Sequence, residues 1–537
     1  MFRIFATFLV LFVNFSTSST DNFSEFYSDA KIFETAIYAA NSPVISTQIS
    51  GVTLPHHLLA ADLIADALAQ ISAQKYDQIV IISPDHFDRG DTVFSTTTKD
   101  FATIFGEVLV AKKSVEKLLV EPQISASNLF SHEHGVRVFL PFLRKYFPET
   151  PIVPVTIKIS ATLDELKSLA VALQKILTQD TLILQSTDFS HYLSLENAEI
   201  QDQKTLRALA SSDENLIFAL DESDNLDSRG AQFLQFSLQK NFFGASPTIF
   251  ENRNSQFYSA EKVAETTSYL VQFWSTESLE FPHEKYFFAG DTFFGRGISQ
   301  KFSDETLRAK MISAILEITR GAKMIVNLEG VVREKCSAPR NDYELCIPLD
   351  FALPIFRELN IVAVGLANNH RHDFGVAGLD EMQKLLVENS IDFFGADEIF
   401  ELPEFHLAAF TDLDNFGIPK YQPIIQNSDL DILAESEKPL FVFVHWGSEF
   451  VTEPTTRERD LSIILQEKGA EVLIGAHSHR ASELACDLTL CQIFSLGNFI
   501  FDQPWDYTSG SILEVDFFSN GNYFLKNHRI PNFYTKI

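Results

Sequence analysis

The strongest constraint in this chain is a series of six short motifs in its second half, each standing directly after an apolar, strand-like run. They are GDTFFGRG (290–297), VNLEG (326–330), LANNHRHDFG (366–375), HWGSE (445–449), GAHSHR (475–480) and SLGNF (495–499). The runs they close (KYFFAGD, AKMIVNLE, NIVAVGLANNH, PLFVFVHWG, AEVLIGAHSH and CQIFSLGNF) are rich in strand-forming residues. Carboxylates, amides and imidazoles therefore fall at the carboxyl ends of successive strands, where open α/β sheets gather their ligands. Asp291, Glu329, Asn369, His370, His445, His477 and His479 make a mixed oxygen and nitrogen set. Such a set suits one or two borderline divalent ions such as Mn²⁺, Zn²⁺ or Fe²⁺. A single histidine after a strand is more often structural than a ligand. Here the ordered ladder, with its His-x-His step after a buried strand and a glycine, argues for a site.

The ladder resembles the CapA family of capsule and poly-γ-glutamate synthesis proteins, which have a calcineurin-like metallophosphoesterase fold, over about residues 284–537. The resemblance implies a C-terminal α/β sandwich of two sheets with helices outside and a metal site at the strand ends. It makes Asp291 the first-motif aspartate and puts Glu329 in place of the bridging carboxylate. Asn369 and His370 become a metal-ligand asparagine and a general acid, and His445, His477 and His479 the remaining ligands. Phosphoesterases of this fold usually carry Asp-x-His at the first motif, whereas Phe293 holds the third position here. That departure points to a single metal or weak occupancy of the first position. Arg296 is a candidate contact for an anionic group of a substrate, or an ordinary surface cation.

At 537 residues the chain is too long for one core, so two or more domains are expected. A formal charge of −30 argues against nucleic acid, which needs a basic footprint, and against anionic membrane surfaces. The 50 phenylalanines fit a large core and say nothing about chemistry. Residues 1–20 read as an export signal: Arg3, the apolar run Ile4–Val13, then the small polar segment Ser16–Thr20. The apolar run is too short to cross a bilayer core of about 30 Å. A cleaved signal implies a secreted or periplasmic protein with no transmembrane span in the mature chain; an uncleaved anchor is the alternative. The four cysteines form two close pairs, Cys336/Cys346 and Cys486/Cys491. In an exported protein these read as two local disulfides, and in a cytosolic one as free thiols.

The first half alternates strand-like and helix-like runs. Segments 77–87, 148–157 and 180–192 read as strands, while 55–71 and 163–177 carry apolar residues at helical spacing. That alternation predicts a separate α/β domain over residues 30–275 with a largely parallel sheet, ending at a seam in Ser275–His283. Polar groups again close the strands: His56 and His57, Asp85 and His86, His132 to His134, and Asp188, Ser190 and His191. Singly these are loop or capping residues, and Asp85 and Asp188 can simply cap turns.

In order and context they resemble the Memo family (AmmeMemoRadiSam system protein B), which is related to extradiol-type non-haem iron dioxygenases. The match runs over about residues 33–275 and is carried by PHH (55–57), SPDHF, EHGVRVFLPFL (133–143), STDFSHY, DSRG (227–230) and FYSAEKVAETTSYLV. Members bind metal through two histidines and a cysteine, and Asp227 stands where that cysteine would. The resemblance thus implies His56, His86 and Asp227 as a two-His, one-carboxylate set for Fe(II) or another divalent ion. The alternative is that Asp227 is only a turn residue and the site is vestigial.

Two function classes follow. One is an exported metalloenzyme, with residues 30–275 Memo-like and 284–537 CapA-like, hydrolysing a phosphoester or related bond in a cell-surface polymer or its anionic precursor. The other is a non-catalytic factor holding a polymer or the capsule-synthesis machinery, its metals structural. A further alternative makes the first half a non-haem-iron redox domain.

Overall fold

The computed structural model describes residues 22–337, 344–395, 398–413, 425, 427–504 and 509–537. The expected signal segment, 1–20, lies outside the described residues. Among the described residues, no helix is long and apolar enough to cross a membrane. The described residues form two compact units, those within 1–50 and 56–186, and those within 51–55 and 187–537.

In the first unit the run QIVIISP becomes the wholly buried strand Gln78–Pro84. Thr181–Ser186 and Ile152–Ile157 flank it in parallel. Phe94–Thr96 then pairs antiparallel to Ile152–Ile157 and parallel to Ile124–Ala126. The helix Leu163–Gln174 starts at a capping box in which Thr162 and Glu165 satisfy each other's backbone N–H. The segment expected to run as one helix from residue 55 forms a short 3-10 turn at Leu58–Ala60 before the α-helix Ala61–Gln70. The strand expected over 180–192 breaks into Thr181–Ser186 and Phe189–Leu193.

In the second unit, Gly51–Leu54, Ser246–Asn254 and Phe189–Leu193 all pair antiparallel with Thr266–Ser275. The sheet of the first half is therefore parallel only in part. Ser246–Asn254 and Thr266–Ser275 lie close in sequence, and a connection that short favours antiparallel neighbours.

The C-terminal part is a two-sheet sandwich. One sheet runs Asp392–Phe394, Ile361–Gly365, Lys323–Leu328, Glu284–Thr292, Gly510–Phe517, Tyr523–Ile530, with Asn498–Ile500 beside Glu284–Thr292. The other runs Phe400–Glu401, His406–Thr411, Leu440–His445, Val472–Ala476, Cys491–Ile493, Leu484–Cys486. Between them lies a core built of Tyr286, Phe288, Ile325, Phe405, Phe441, Phe443, Ile474 and Phe517. Each such side chain contributes about 1.5–3 kcal/mol on burial, which gives part of the phenylalanine count its use. Helices Glu305–Thr319, Leu349–Glu358 and Gly375–Glu388 cover the outer face of the first sheet through Met311, Ile315, Ile355, Phe356, Met382 and Leu386. Thr456–Glu467 covers the second through Leu461 and Leu465. Disulfides join Cys336 to Cys346 and Cys486 to Cys491.

The helix Leu195–Ser211, from the first half of the sequence, belongs to the same compact unit as this sandwich. Its Arg207 pairs with Glu471 and donates to the Tyr523 hydroxyl at 3.0 Å. Gln203 exchanges two hydrogen bonds with the Tyr523 backbone, at 3.0 and 2.9 Å.

Candidate metal centres

Every motif of the ladder sits where a strand of the sandwich ends. Asp291 closes Glu284–Thr292, Glu329 follows Lys323–Leu328, and His445 ends Leu440–His445. His477 and His479 follow Val472–Ala476. Asp291, Glu329 and His479 are all buried, and their ligand atoms lie within 4.8 Å of one another. His477 and His479 hold left-handed backbone angles, φ +94° and +57°. Non-glycine residues so held gather at functional sites. Here the turn aims the His477 N–H at both Asp291 oxygens, 3.0 and 3.1 Å away.

The electrostatics are those of a cation site. Burial alone would raise the Asp291 carboxyl, but the hydrogen bond and charge of His479, 3.1 Å away, outweigh it and hold it well below the carboxylate range. Glu329 is pushed well above its usual value, first by burial and then by Asp291 beside it. Burial, reinforced by His477, holds His445 well below the usual imidazole range. His477 is pushed down to about 3, by burial and then by His479. For His479, burial lowers the ring's basicity, but the Asp291 hydrogen bond and charge outweigh it and the net shift is upward. Neutral rings at His445 and His477, and a carboxylate pair that will not ionise fully without added positive charge, are what a divalent ion needs.

The hydrogen-bond arithmetic agrees. Asn327 Nδ2 faces three acceptors, Asp291 Oδ1 at 3.0 Å, His445 Nδ1 at 3.2 Å and Glu329 Oε1 at 3.3 Å, with only two hydrogens. His445 Nε2 lies 3.0 Å from Asn369 Oδ1, so this histidine and amide already converge. The residues present fit a divalent ion.

His370 stands beside this set, its Nδ1 2.9 Å from Asp373 Oδ2. Asp373 Oδ2 also accepts the Leu345 N–H at 2.8 Å, so the carboxylate is fixed and the ring carries its proton on Nδ1 toward it. Asn368, not Asn369, braces the loop: it donates to Leu328 O at 2.8 Å and accepts the His370 N–H at 3.0 Å. Asn498 Oδ1 accepts from His479 Nδ1 at 2.8 Å. Arg296 is engaged by Asp502 through Nε and Nη2 at 3.1 and 2.8 Å, over the Phe293 ring. A substrate anion would compete with that carboxylate.

The first unit carries a second group, with His56, His86 and His134 nitrogens within 4.8 Å. His86 Nδ1 lies 2.6 Å from Glu133 Oε1, and His56 Nδ1 3.0 Å from Ser186 Oγ. Ser186 donates its own hydrogen to Gly135 O at 2.6 Å, so it accepts from His56. These partners put the lone pair of each ring on Nε2, and the two Nε2 atoms face each other at 3.2 Å. Burial would raise Glu133, but the His86 hydrogen bond and charge outweigh it and keep the carboxyl low. A carboxylate–histidine arrangement of this kind orients metal-binding rings. A side chain at residue 135 would come within 2.3 Å of Ser83 Oγ, which explains the glycine in EHG.

The structure thus brings His56 and His86 together as the sequence suggests and adds His134, which had stood only among the polar strand-end groups. Asp227 belongs to the second unit, in the bend before helix Arg229–Leu238, its N–H bonded to Asp188 O at 3.0 Å. Asp85 caps a turn, accepting from Arg89 and Gly90 N–H at 3.1 and 2.8 Å. Sequence reasoning left out Asn327, Asn368, Asp373, Asn498 and Ser186, and gave Glu133 no role beyond its place among the strand-end polar groups. All five lie within the quoted motifs, but their roles come from contacts with other motifs.

Residues 28–256 match the family model described as Memo-like protein, and residues 285–404 and 426–503 that of Bacterial capsule synthesis protein PGA_cap. The PGA biosynthesis protein CapA of Bacillus subtilis (strain 168) is 24% identical over 249 residues, 42% of this chain and 65% of that protein. A MEMO1 family protein of Thermotoga sp. (strain RQ2) is 28% identical over 196 residues, 36% of this chain and 69% of that protein. A solved hypothetical protein from Thermus thermophilus covers 46% of this chain and 99% of its own, at 16% identity and a TM-score of 0.29. The chain therefore spans just under two thirds of the length of the CapA relative.

Proposed function

Because the chain joins a Memo-like domain to a PGA_cap domain of capsule synthesis, we propose that it is an exported metal-dependent hydrolase acting in cell-surface polymer or capsule synthesis. It cleaves a phosphoester or related bond in the polymer or its anionic precursor. The observation that carries this reading is the buried meeting of Asp291, Glu329 and His479 within 4.8 Å. Asp291, Glu329, Asn369, His445, His477 and His479 would hold the Mn, Zn or Fe ion. When bound, such an ion supplies a Lewis acid and lowers the pKa of an attacking water.

The protein's own groups do the rest. The Asn327 amide and the His477 N–H hold Asp291 in place. Asp373 holds His370 by Nδ1, so Nε2 is the position from which a proton passes to the leaving oxygen. A phosphoester panel with added Mn²⁺, Zn²⁺ or Fe²⁺ tests the reading, with His370→Ala lowering kcat by about 10²–10⁴-fold. Full activity in that variant removes His370 from the mechanism.

One observation favours a second reading, a non-catalytic assembly factor with structural metal. Phe293, fully buried with its ring 5.5 Å from Phe501, fills the position at which a ligand histidine is expected. Metal binding without turnover on any ester of a broad panel would support it. In the Memo-like half, a non-haem-iron redox site would use His56 and His86 with Asp227, as the sequence suggests, or with His134, and anaerobic Fe(II) titration tests that.

A further inference from the structure

Arg137 is among the largest fully buried side chains, 2% exposed, and meets no carboxylate among the described residues. Its guanidinium lies against two aromatic rings, with Cζ 5.4 Å from the Phe26 centroid and 5.3 Å from that of Phe101. Nη2 donates to the Ser24 carbonyl. Nε and Nη1 are buried and meet no acceptor among the described residues. Burial pulls Arg137 down to about 10, opposed only by nearby Tyr27. A buried cation left with unmet donors is among the costliest arrangements a fold can hold, and such charges are ordinarily paired.

Beside the guanidinium is a cavity of about 10 Å³, lined by Phe26, Tyr27, Thr103, Ile104, Arg137 and Leu140. That is room for about one water-sized particle, too little for phosphate or a carboxylic acid. The Nε and Nη1 donors, which meet no acceptor among the described residues, are the groups a ligand would bond.

We propose that this cavity is a halide site, in which one chloride accepts from the Arg137 edge and compensates its charge. It would fasten the segment 24–27 to the helix that carries Arg137, since Ser24, Phe26 and Tyr27 all contact or border Arg137. The site uses none of the candidate metal ligands.

The test is run on the full chain. Sodium chloride or bromide is titrated at ionic strength held constant with sodium gluconate, whose anion is too large to enter. A ligand that binds only the folded state raises the melting temperature with the logarithm of its concentration above Kd. The wild type should therefore melt several degrees higher in either halide, and Arg137→Met should show no halide dependence. Equal melting in all three salts, or an increase that persists in Arg137→Met, overturns the proposal. Should that variant not fold, bromide-soaked wild-type crystals decide: an anomalous peak beside Arg137 is expected, and a water at that position overturns it.

Discussion

The backbone N–H of His477 donates to both carboxylate oxygens of Asp291, at 3.0 and 3.1 Å, across 186 residues of sequence. One turn thereby fixes the carboxylate from the first strand of the sandwich against the His-x-His step of a distant one. A carboxylate held by a backbone N–H does not depend on the rotamer of a donor side chain.

Asp373 should act through His370 rather than on substrate. In serine hydrolases, replacing the carboxylate that orients a catalytic imidazole costs up to about 10⁴-fold. Asp373→Asn is expected to lower kcat by between about 10-fold and that limit, with KM and metal content near wild type. An unchanged kcat, measured on the best ester of the panel, would mean that the 2.9 Å contact is only structural.

In the first unit, His134→Ala should weaken anaerobic Fe(II) binding by at least about tenfold, as loss of one ligand would. Asp227→Ala should weaken it more than Asp224→Ala does. Calorimetric titration decides between the two candidates for third ligand. If Asp227→Ala leaves affinity untouched while His134→Ala removes it, the site is all-histidine and the carboxylate expectation fails.

Residues 21–275 and 284–537, expressed separately, should each fold. The cut exposes the face on which Arg207, Glu471 and Tyr523 meet, so each piece should melt below the intact chain. Circular dichroism and one-dimensional NMR check this; two molten products would place the true boundary elsewhere.

Asp202 gives a pH dependence with a definite sign. Burial pushes it up to about 6, against hydrogen bonds from Ser190 and Asn252. A carboxyl raised above its unfolded value adds stability that is complete below about pH 4 and lost as pH rises through about 6. The loss is on the order of 3 kcal/mol at most. Denaturant titrations from pH 4 to 7 should show the decline in the wild type and a flatter profile in Asp202→Asn. An equal slope in both would contradict the assignment.

Much of the C-terminal site was legible because its ligands end strands, and apolar runs with polar ends are a local signal. The amides that place them were not. Asn327 and Asn368 act by facing other motifs, which spacing does not encode. Arg296 stood open between a substrate contact and a surface cation, and its partner Asp502, 206 residues away, gave no local signal. The mixed direction of the first-half sheet was missed because buried strands such as Gln78–Pro84 look alike whether their neighbours run parallel or antiparallel. His134 was passed over for a related reason: its place depends on the Gly135 turn against Ser83, a contact between distant segments.

Whether the strand-end group around Asp291 holds a metal is decided by the metal content of the full chain. Wild type and His477→Ala/His479→Ala protein would be loaded with Mn²⁺ or Zn²⁺, desalted, and measured by plasma mass spectrometry. His56→Ala/His86→Ala would be carried in both backgrounds to silence the first-unit group. The site-silenced protein should retain metal, and the added double substitution should abolish it while the fold, by circular dichroism, persists. Equal stoichiometry in the two proteins would contradict that expectation.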